Sequence, residues 1–412
     1  MARLFQSGFE WQSLASQVEF SVNGGANASI DTATKNGGNA SMRISGSMAA
    51  GVFDGVAHNL TLATDVYGQY YIRIHALPSD SGATVATFDL LTSGGAANAM
   101  SIQIGNEGGT LKMHVYYNAF GGEVTNTATI NTDTWYRIEF LYKSSGAGAT
   151  DQIVVKVDGT TVADSGATLT LTSTPGYFQC GVYNGSASTI TTEDVNFDDI
   201  ALNSTSGSVN NSYPGGCKIV IAVPTGAGDN AATTGIYSYI NEIPPSDTAT
   251  SGSTMIELDN NPTNADYNVT NSSTMGIGSS DTIQAVSVLA RIREETAGTS
   301  NYTLRLKSAS GGTTTSSSSV DAGNTTPRTN PNSTTAFGNS LISETDPTTG
   351  VAWTPTGTNS IDNMQVGVGT TDGTPDTWCL ALCAMVAYVP AAGSPPTPVK
   401  DMVGIGVLPF VR

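Results

Sequence analysis

The stretch TWYRIEFLYK, residues 134–143, and the following stretch QIVVKVDGTTVAD, residues 152–164, decide the fold class of this chain. In the first stretch apolar and polar residues alternate from Trp135 to Phe140, the period of a strand with one buried and one solvated face. In the second, the pair Asp158-Gly159 separates two runs of β-branched residues, a strong signal for a tight hairpin. Together they predict antiparallel β-structure.

The composition indicates the same fold class for the whole chain. Of 412 residues, 39% are hydrophobic and only 12% are charged, against about 25% charged in an average globular protein. The polar residues are mainly Ser, Thr, Asn and Gly, which suit short strands joined by many turns. We find no amphipathic helix. We therefore expect an all-β protein of two antiparallel β-sandwich (jelly-roll) domains with an extended C-terminal tail.

Breaks in the strand pattern predict the domain boundaries. Strand-like segments recur through residues 1–205, and a turn-rich linker occupies 206–216. A second series of strands fills 217–390 and predicts a second β-sandwich. Residues 391–412 form a Pro-rich spacer and an apolar tail.

Charge and targeting signals exclude several classes of partner. The net charge of −18 argues against nucleic acid and anionic membranes as partners. No stretch approaches the roughly 18 apolar residues of a membrane span, and the N-terminus lacks the apolar core of a signal peptide. We therefore expect the protein to be made in the cytoplasm. Cys379 and Cys383, four residues apart, are expected on one face of the last strand, about 13 Å apart and present as buried thiols.

Residues for catalysis are scarce. Among the three histidines, His75 and His114 lie in alternating strands, where a packed or outward strand residue is expected. No nucleophile elbow, zinc-binding helix or phosphate loop is present. The nearest carboxylate pair, Glu193 and Asp194, is adjacent in sequence, so the two side chains would point to opposite faces of a strand. We therefore predict that the chain is not an enzyme.

Several aromatic residues lie in predicted strands and could stack on sugar rings. Their alternation with apolar residues favours core packing instead. The residues concerned are Tyr67, Tyr70, Tyr116, Tyr117 and Trp135.

Three short motifs resemble the laminin-G/concanavalin A-like jelly-roll superfamily. They are Gly8-Phe9-Glu10, the hairpin quoted above, and Asn196-Phe197-Asp198-Asp199-Ile200. The resemblance implies a jelly roll over about half the chain. It also implies a structural calcium ion, the only cofactor we expect, between Glu10 and Asp198 or Asp199. A solvated acidic edge or a hydrogen-bonded strand end is the alternative for these carboxylates.

A second resemblance concerns the joint SGSVNNSYPG, residues 206–215, and the run DPTTGVAWTP, residues 346–355. Both resemble segments of tailed-phage virion structural proteins. The resemblance implies a non-enzymatic virion surface protein, a capsid decoration or a head or tail fibre. Its partners would be copies of itself, most simply in a trimer, and virion proteins such as the major capsid protein. The alternative is a carbohydrate-binding adhesin that recognises host surface glycans. The apolar tail is predicted to dock on its own domain, on a neighbouring subunit or on the shell. The residues concerned are Val403, Ile405, Val407, Leu408 and Phe410.

Overall fold

The computed structural model describes most of the chain, and its architecture is almost entirely antiparallel β-structure. The described residues are 2–14, 20–24, 27–60, 63–78, 84–126, 128–145, 150–185, 189–245, 254–259, 263–296, 298–322, 328–329, 341–374 and 376–392. The predicted all-β sandwich class is confirmed. No helix in these ranges is long and apolar enough to cross a membrane.

Sixteen strands precede the joint and twelve follow it. The first sixteen are β1 (Arg3–Ser7), β2 (Ser21–Gly24), β3 (Ala28–Asp31), β4 (Ser41–Met48), β5 (Phe53–Asn59), β6 (Asp65–Ile74), β7 (Thr84–Thr92), β8 (Asn98–Glu107), β9 (Thr110–Tyr117), β10 (Gly122–Glu123), β11 (Thr129–Ile130), β12 (Trp135–Lys143), β13 (Gln152–Val157), β14 (Thr160–Asp164), β15 (Pro175–Tyr183) and β16 (Ile190–Ser204). The others are β17 (Lys218–Ala222), β18 (Pro224–Ala227), β19 (Ile256–Leu258), β20 (Asn264–Val269), β21 (Thr282–Glu294), β22 (Thr299–Lys307), β23 (Thr314–Ser316), β24 (Val320–Asp321), β25 (Arg328–Thr329), β26 (Leu341–Ser343), β27 (Gln365–Thr374) and β28 (Thr377–Val389). Short 3-10 helices span Ser93–Gly95, Tyr237–Tyr239 and Ile361–Asn363.

Two eight-stranded sheets form the first sandwich. The first sheet has the order β14-β13-β12-β6-β16-β4-β3, with β1 also paired to β16. The second sheet has the order β10-β9-β8-β7-β15-β5-β2, with β11 paired to β9. Ile72 and Phe140 from the first sheet and Phe88 and Phe178 from the second lie in one buried core. That core is made by the apolar half of each alternating strand, which is why the alternation could be read from the sequence.

Two six-stranded sheets form the second sandwich. The third sheet has the order β17-β28-β21-β25, with β19 and β26 attached, and the fourth has the order β18-β20-β27-β22-β23, with β24 attached. Their shared core includes Val288, Leu304 and Val366. Trp353 is 3% exposed and packs in this core.

The third sheet is buried on both faces, which explains the nearly continuous apolar sequence of β28. One face of β28 packs on the fourth sheet, while Cys383 and Met385 pack on Trp11 and Ala201 of the first sandwich. A β-bulge at Leu380 changes the alternation. Cys379 therefore belongs to the core of the second sandwich, and Cys383 belongs to the contact between the two sandwiches. The prediction that these thiols share a face is wrong for that reason. All four cysteines are buried thiols, as expected.

The hairpin at the fold-deciding stretch has the predicted form. Asp158 and Gly159 separate β13 from β14 and have φ angles of 49° and 83°. Two positive φ angles are what a two-residue type I′ turn requires. The boundaries at residues 205 and 216 stay predictions, and the apolar tail from residue 393 onward lies outside the described residues.

Candidate functional site

The outer face of the second sheet carries polar residues at the centre of the sheet. On β7, β8 and β9, the side chains of Phe88, Ile102 and Met113 point into the core. Because successive side chains of a strand alternate between faces, their neighbours along each strand lie on the outer face. This outer face differs from an ordinary solvated sheet face because several of its polar residues are buried.

Two parallel rows of outward residues cross the four neighbouring strands β15, β7, β8 and β9. Antiparallel pairing sets the register of both rows, which we call the outer-face rows. Strands in a sheet lie about 4.8 Å apart, so each row is about 14 Å long. One row is Gln179, Asp89, Ser101 and Tyr116, and the other is Gly181, Thr87, Gln103 and His114.

A buried carboxylate organises the centre of the rows. Asp89 is 4% exposed and accepts hydrogen bonds from the Thr87 hydroxyl at 2.6 Å and the Ser101 hydroxyl at 2.5 Å. Its second oxygen accepts from Gln179 Nε2 at 2.8 Å, and Gln103 Nε2 donates to Ser101 Oγ at 3.1 Å. Burial raises the pKa of Asp89, while these hydrogen bonds oppose the rise. The network fixes the amides of Gln103 and Gln179 in place.

His114 closes one end of the second row, held between two carboxylates. Its Nδ1 lies 2.7 Å from Glu123 Oε1 and its Nε2 lies 2.8 Å from Glu107 Oε1. The His114 side chain is 26% exposed, and those of the two glutamates are 51% and 44% exposed. His114 is thus an outward strand residue, one of the two placements expected for it. Engagement of both ring nitrogens orients the imidazole plane.

Three rings follow one another at this end of the face. The imidazole of His114 stacks on Tyr116 with ring centroids 5.7 Å apart and planes 6° apart. Tyr116 meets Phe120 edge-on at 5.5 Å, and Phe120 is 52% exposed. Burial, followed by the charges of Glu123 and Glu107, raises the pKa of the Tyr116 hydroxyl.

The core placement predicted for Tyr116 is therefore wrong. Leu111, Met113 and Val115 occupy the inward positions of β9, so the alternation puts Tyr116 on the outer face. Tyr70 is buried in the core as predicted, and Tyr117 packs against it. Trp135 is half-buried at the start of β12 in the opposite sheet.

Two glycines lie next to each other on the outer face of the second sheet. Gly55 and Gly181 are paired across β5 and β15. A Cβ atom on Gly181 would lie 2.2 Å from the carbonyl oxygen of Asp54 and 2.9 Å from Cζ of Phe53. Since real Cβ atoms do not approach other atoms so closely, only glycine fits here.

The carboxylates predicted to hold calcium converge on the loop that precedes β4. Both oxygens of Glu10 accept from the amide of Asn39, at 2.8 and 2.7 Å, and Asp198 Oδ2 accepts from the amide of Asn36 at 2.8 Å. Asp199 Oδ1 accepts from the amide of Ile219 at 2.7 Å. The three carboxylates are fully buried. Burial first, and then the negative charge of Asp198, raise the pKa of Glu10 well above its usual range.

A bulge explains why two adjacent aspartates point to the same loop. The pairing of β16 with β6 shifts between Asp198 and Ala201, and Asp199 has a φ of 47°. The shift suspends the alternation, so both carboxylates reach Asn36. Only glycine fits opposite Glu10, since a Cβ on Gly38 would lie 1.9 Å from Glu10 Oε1.

Carboxylate oxygens are the ligands that a hard cation prefers. Among the described residues, the three carboxylates have one cation beside them, Lys218, whose Nζ lies 3.6 Å from Asp199 Oδ2. Their oxygens, however, accept backbone amides. Among the described residues no group of three or more His, Cys, Asp or Glu side chains is arranged to hold a metal ion. The calcium site stays a prediction, and the tail residues Val403 to Phe410 lie outside the described residues.

Sequence reasoning missed the central polar residues of the face. Asp89, Ser101, Gln103 and Gln179 each alternate with buried apolar neighbours in their strands. Polar residues on the outward side of several strands were a signal in the sequence for a polar outer face. What the sequence did not contain is that their four strands lie side by side in the order β15-β7-β8-β9.

No protein-family model matches the chain, and no curated protein matches it in sequence. Parts of the chain are similar to solved structures. An endo-β-1,4-glucuronan lyase from the fungus Trichoderma reesei is 15% identical, with 49% of this chain and 96% of that one covered and a TM-score of 0.37. The alginate lyase Aly36B is 14% identical, with 48% and 96% covered and a TM-score of 0.34. The carbohydrate esterase vb_24B_21 from the Shiga toxin-encoding bacteriophage phi24B is 13% identical, with 45% and 89% covered and a TM-score of 0.33.

These similarities concern the fold, and they correct one prediction. The predicted absence of enzymatic activity is wrong as an inference from this architecture, because proteins named as lyases and an esterase are among the structures similar to it. The predicted resemblances are supported as far as the β-sandwich. None of the comparisons identifies the chain as a phage virion protein.

Proposed function

We propose that the protein binds a saccharide chain laid across the outer face of the second sheet. The observation that carries the proposal is the pair of outer-face rows, in which half-buried amides held by a buried hydrogen-bond network lead to three rings. The amides belong to Gln103 and Gln179, and the rings to His114, Tyr116 and Phe120. Sugars present hydroxyls at their edges and C–H groups on their faces. The rows offer partners for both: polar groups that fix orientation and aromatic rings that supply contact area.

The dimensions of the rows suit an extended oligosaccharide. The strand spacing of about 4.8 Å is close to the length of one pyranose unit, so a chain crossing the strands would place successive rings over successive strands. Beside Gln179, Gly55 and Gly181 leave room for the ring of Phe53, which packs over both glycines.

A glycan array probed with the full chain tests the proposal, and calorimetry with the oligosaccharides that bind gives affinities. We expect Tyr116→Ala to weaken binding about tenfold, the effect of losing one favourable ring contact of roughly 1.5 kcal/mol. Trp135→Ala, an aromatic substitution on the opposite sheet, is the control and should bind as the parent does. A blank array, or equal losses in both variants, would overturn the proposal. Mass spectrometry of the recovered oligosaccharide detects any cleavage.

A place on a phage particle is the second candidate, compatible with the first. It rests on the resemblance of the joint and of residues 346–355 to tailed-phage virion proteins. In that setting the tail would attach the protein to a neighbouring copy or to the shell. Deleting residues 395–412 should then abolish incorporation into particles while near-ultraviolet circular dichroism stays unchanged. Normal incorporation of the truncated chain would rule out the attachment role.

A further inference from the structure

Positive charge is almost missing from the sheet that carries the outer-face rows. Lys112 is the only Lys or Arg in the sequences of its eight strands. Residues 74–111, 113–136 and 157–217, which include most of the loops joining these strands, contain no Lys or Arg. The strands of the opposite sheet contain six such residues, namely Arg3, Arg43, Arg73, Arg137, Lys143 and Lys156.

The charges present on this face are mostly negative. Glu107 and Glu123 lie at the ring end of the rows and are about half exposed, with the His114 imidazole between them. Lys112, exposed on the same side of β9 as His114, is the one lysine of these strands. Asp89 adds a buried carboxyl at the centre. A ligand carboxylate or sulfate placed on the rows would meet like charge and would lose its hydration without a guanidinium to replace it.

The remaining polar groups suit uncharged partners. Gln103 and Gln179 present half-buried amides. The buried Ser101 hydroxyl and the buried Asp89 carboxyl hold these amides in place from beneath. Neutral groups of this kind exchange hydrogen bonds with sugar hydroxyls, and no charged group has to lose its hydration. Two exposed glutamates would attract an amino sugar, but they lie at one end of the rows and are already engaged by His114.

We infer that the saccharide bound on this face is uncharged, a neutral hexose or pentose chain and not a uronate, a sulfated glycan or an amino-sugar polymer. The inference rests on the proposed function and specifies its ligand class. It commits the face to contacts that depend on shape and hydroxyl pattern, and so to binding that salt leaves unchanged.

The test is a titration of the full chain with hexasaccharides of matched length at two salt concentrations, 50 mM and 500 mM in round terms, about threefold apart in screening length. The neutral probes are the hexamers of cellulose, β-1,3-glucan, xylan and mannan. The charged probes are the hexamers of alginate, polyglucuronate and chitosan. We expect at least one neutral hexamer to bind with an affinity that changes less than twofold between the two salts, and Tyr116→Ala to weaken it.

The outcomes separate the inference from the proposed function. Binding of alginate, polyglucuronate or chitosan in preference to every neutral hexamer, with affinity falling as salt rises, overturns the inference and leaves saccharide binding intact. Binding of no hexamer of either kind overturns the proposed function, and the inference with it. Neutral binding that Tyr116→Ala leaves unchanged places the ligand elsewhere and also overturns the inference.

Discussion

A single buried carboxylate, Asp89, shows how one residue organises a surface. It lies on the outward side of β7, yet the Thr87, Ser101 and Gln179 side chains enclose it. A polar residue on a solvated face would ordinarily be exposed and variable in orientation. Here three donors satisfy one carboxylate, and the half-buried Gln179 amide, which a ligand would meet, is fixed before the ligand arrives.

Replacing Asp89 with Ala should destabilise the protein, because the buried hydroxyls of Thr87 and Ser101 lose their acceptor. The cost is roughly 1–3 kcal/mol for each buried group left unpaired. Urea denaturation followed by intrinsic fluorescence measures the loss. Asp89→Asn keeps the shape and an acceptor oxygen and should lose much less. Equal losses in both variants would show that the network does not depend on hydrogen bonding.

The stability contributed by Asp89 should fall as the pH rises. Burial raises its pKa in the folded protein above the ordinary value of 3.8, so the unfolded chain releases this proton first. The contribution is complete below 3.8 and is lost as the pH rises through the folded-state pKa. Relative to the parent, Asp89→Asn should therefore gain free energy of unfolding from pH 4 to pH 7. A difference that is constant over this range would contradict the assignment.

At the scale of elements, the strands of the two sandwiches differ in how many of their faces are buried. Strand β9 has one buried face and one outer face, and its sequence alternates accordingly. Strand β28 is buried on both faces, against the fourth sheet and against Trp11, and its sequence is apolar nearly throughout. The alternation thus distinguishes a strand with one outer face from a strand buried on both faces.

The pair of glycines on β5 and β15 should be intolerant of any side chain. Gly181→Ala would bring a Cβ within 2.2 Å of the Asp54 carbonyl oxygen, so the two strands must separate. We expect destabilisation of roughly 1–3 kcal/mol, the usual cost of overpacking. Gly226→Ala is a matched control, since the nearest atom to its Cβ is 3.8 Å away. Chemical denaturation compares the two, and a Gly181→Ala protein as stable as the control would contradict the packing described.

Much of this fold could be predicted from the sequence, and less of the site. The alternation in 134–143 and the Asp158-Gly159 turn are local signals, and the corresponding strands and hairpin form as predicted. Bulges are not local signals. The bulge at Leu380 places Cys379 and Cys383 on different faces, and the bulge after Asp198 turns Asp198 and Asp199 to one loop. The outer-face rows depend on which strands are neighbours, and strand order follows from long-range packing.

At the scale of the molecule, the buried carboxylates lie where the two sandwiches meet. Asp199 accepts from the amide of Ile219, the second residue of β17, and Glu10 precedes Trp11, whose ring packs on the third sheet. Gln69 of the first sandwich accepts from the amides of Gly216 and Cys217 at 2.9 and 3.1 Å. A change in the charge of these carboxylates, by protonation or cation binding, therefore affects the contact between the two sandwiches.

Millimolar calcium should raise the melting temperature if Glu10 and Asp198 bind it, because a ligand bound only by the folded state stabilises that state. The gain is about 2.7 kcal/mol at a free concentration 100 times the Kd. Differential scanning calorimetry measures it. Glu10→Gln, which keeps the size of the side chain, should abolish the rise, and magnesium at the same concentration is the control. An unchanged melting temperature in the parent protein would exclude the site.

Strand β1 has a consequence for the order in which the chain folds. Its residues pair with Ile200 to Asn203, and the amides of Ala2 and Arg3 donate to the Glu344 carboxylate at 2.8 Å. During synthesis this first strand emerges from the ribosome some two hundred residues before its sheet partner and more than three hundred before Glu344. Strand β1 therefore lacks its pairing partner, β16, until the chain between them has been synthesised. A segment made early is thus secured late, because its contact with Glu344 can form only after the chain has been synthesised past that residue.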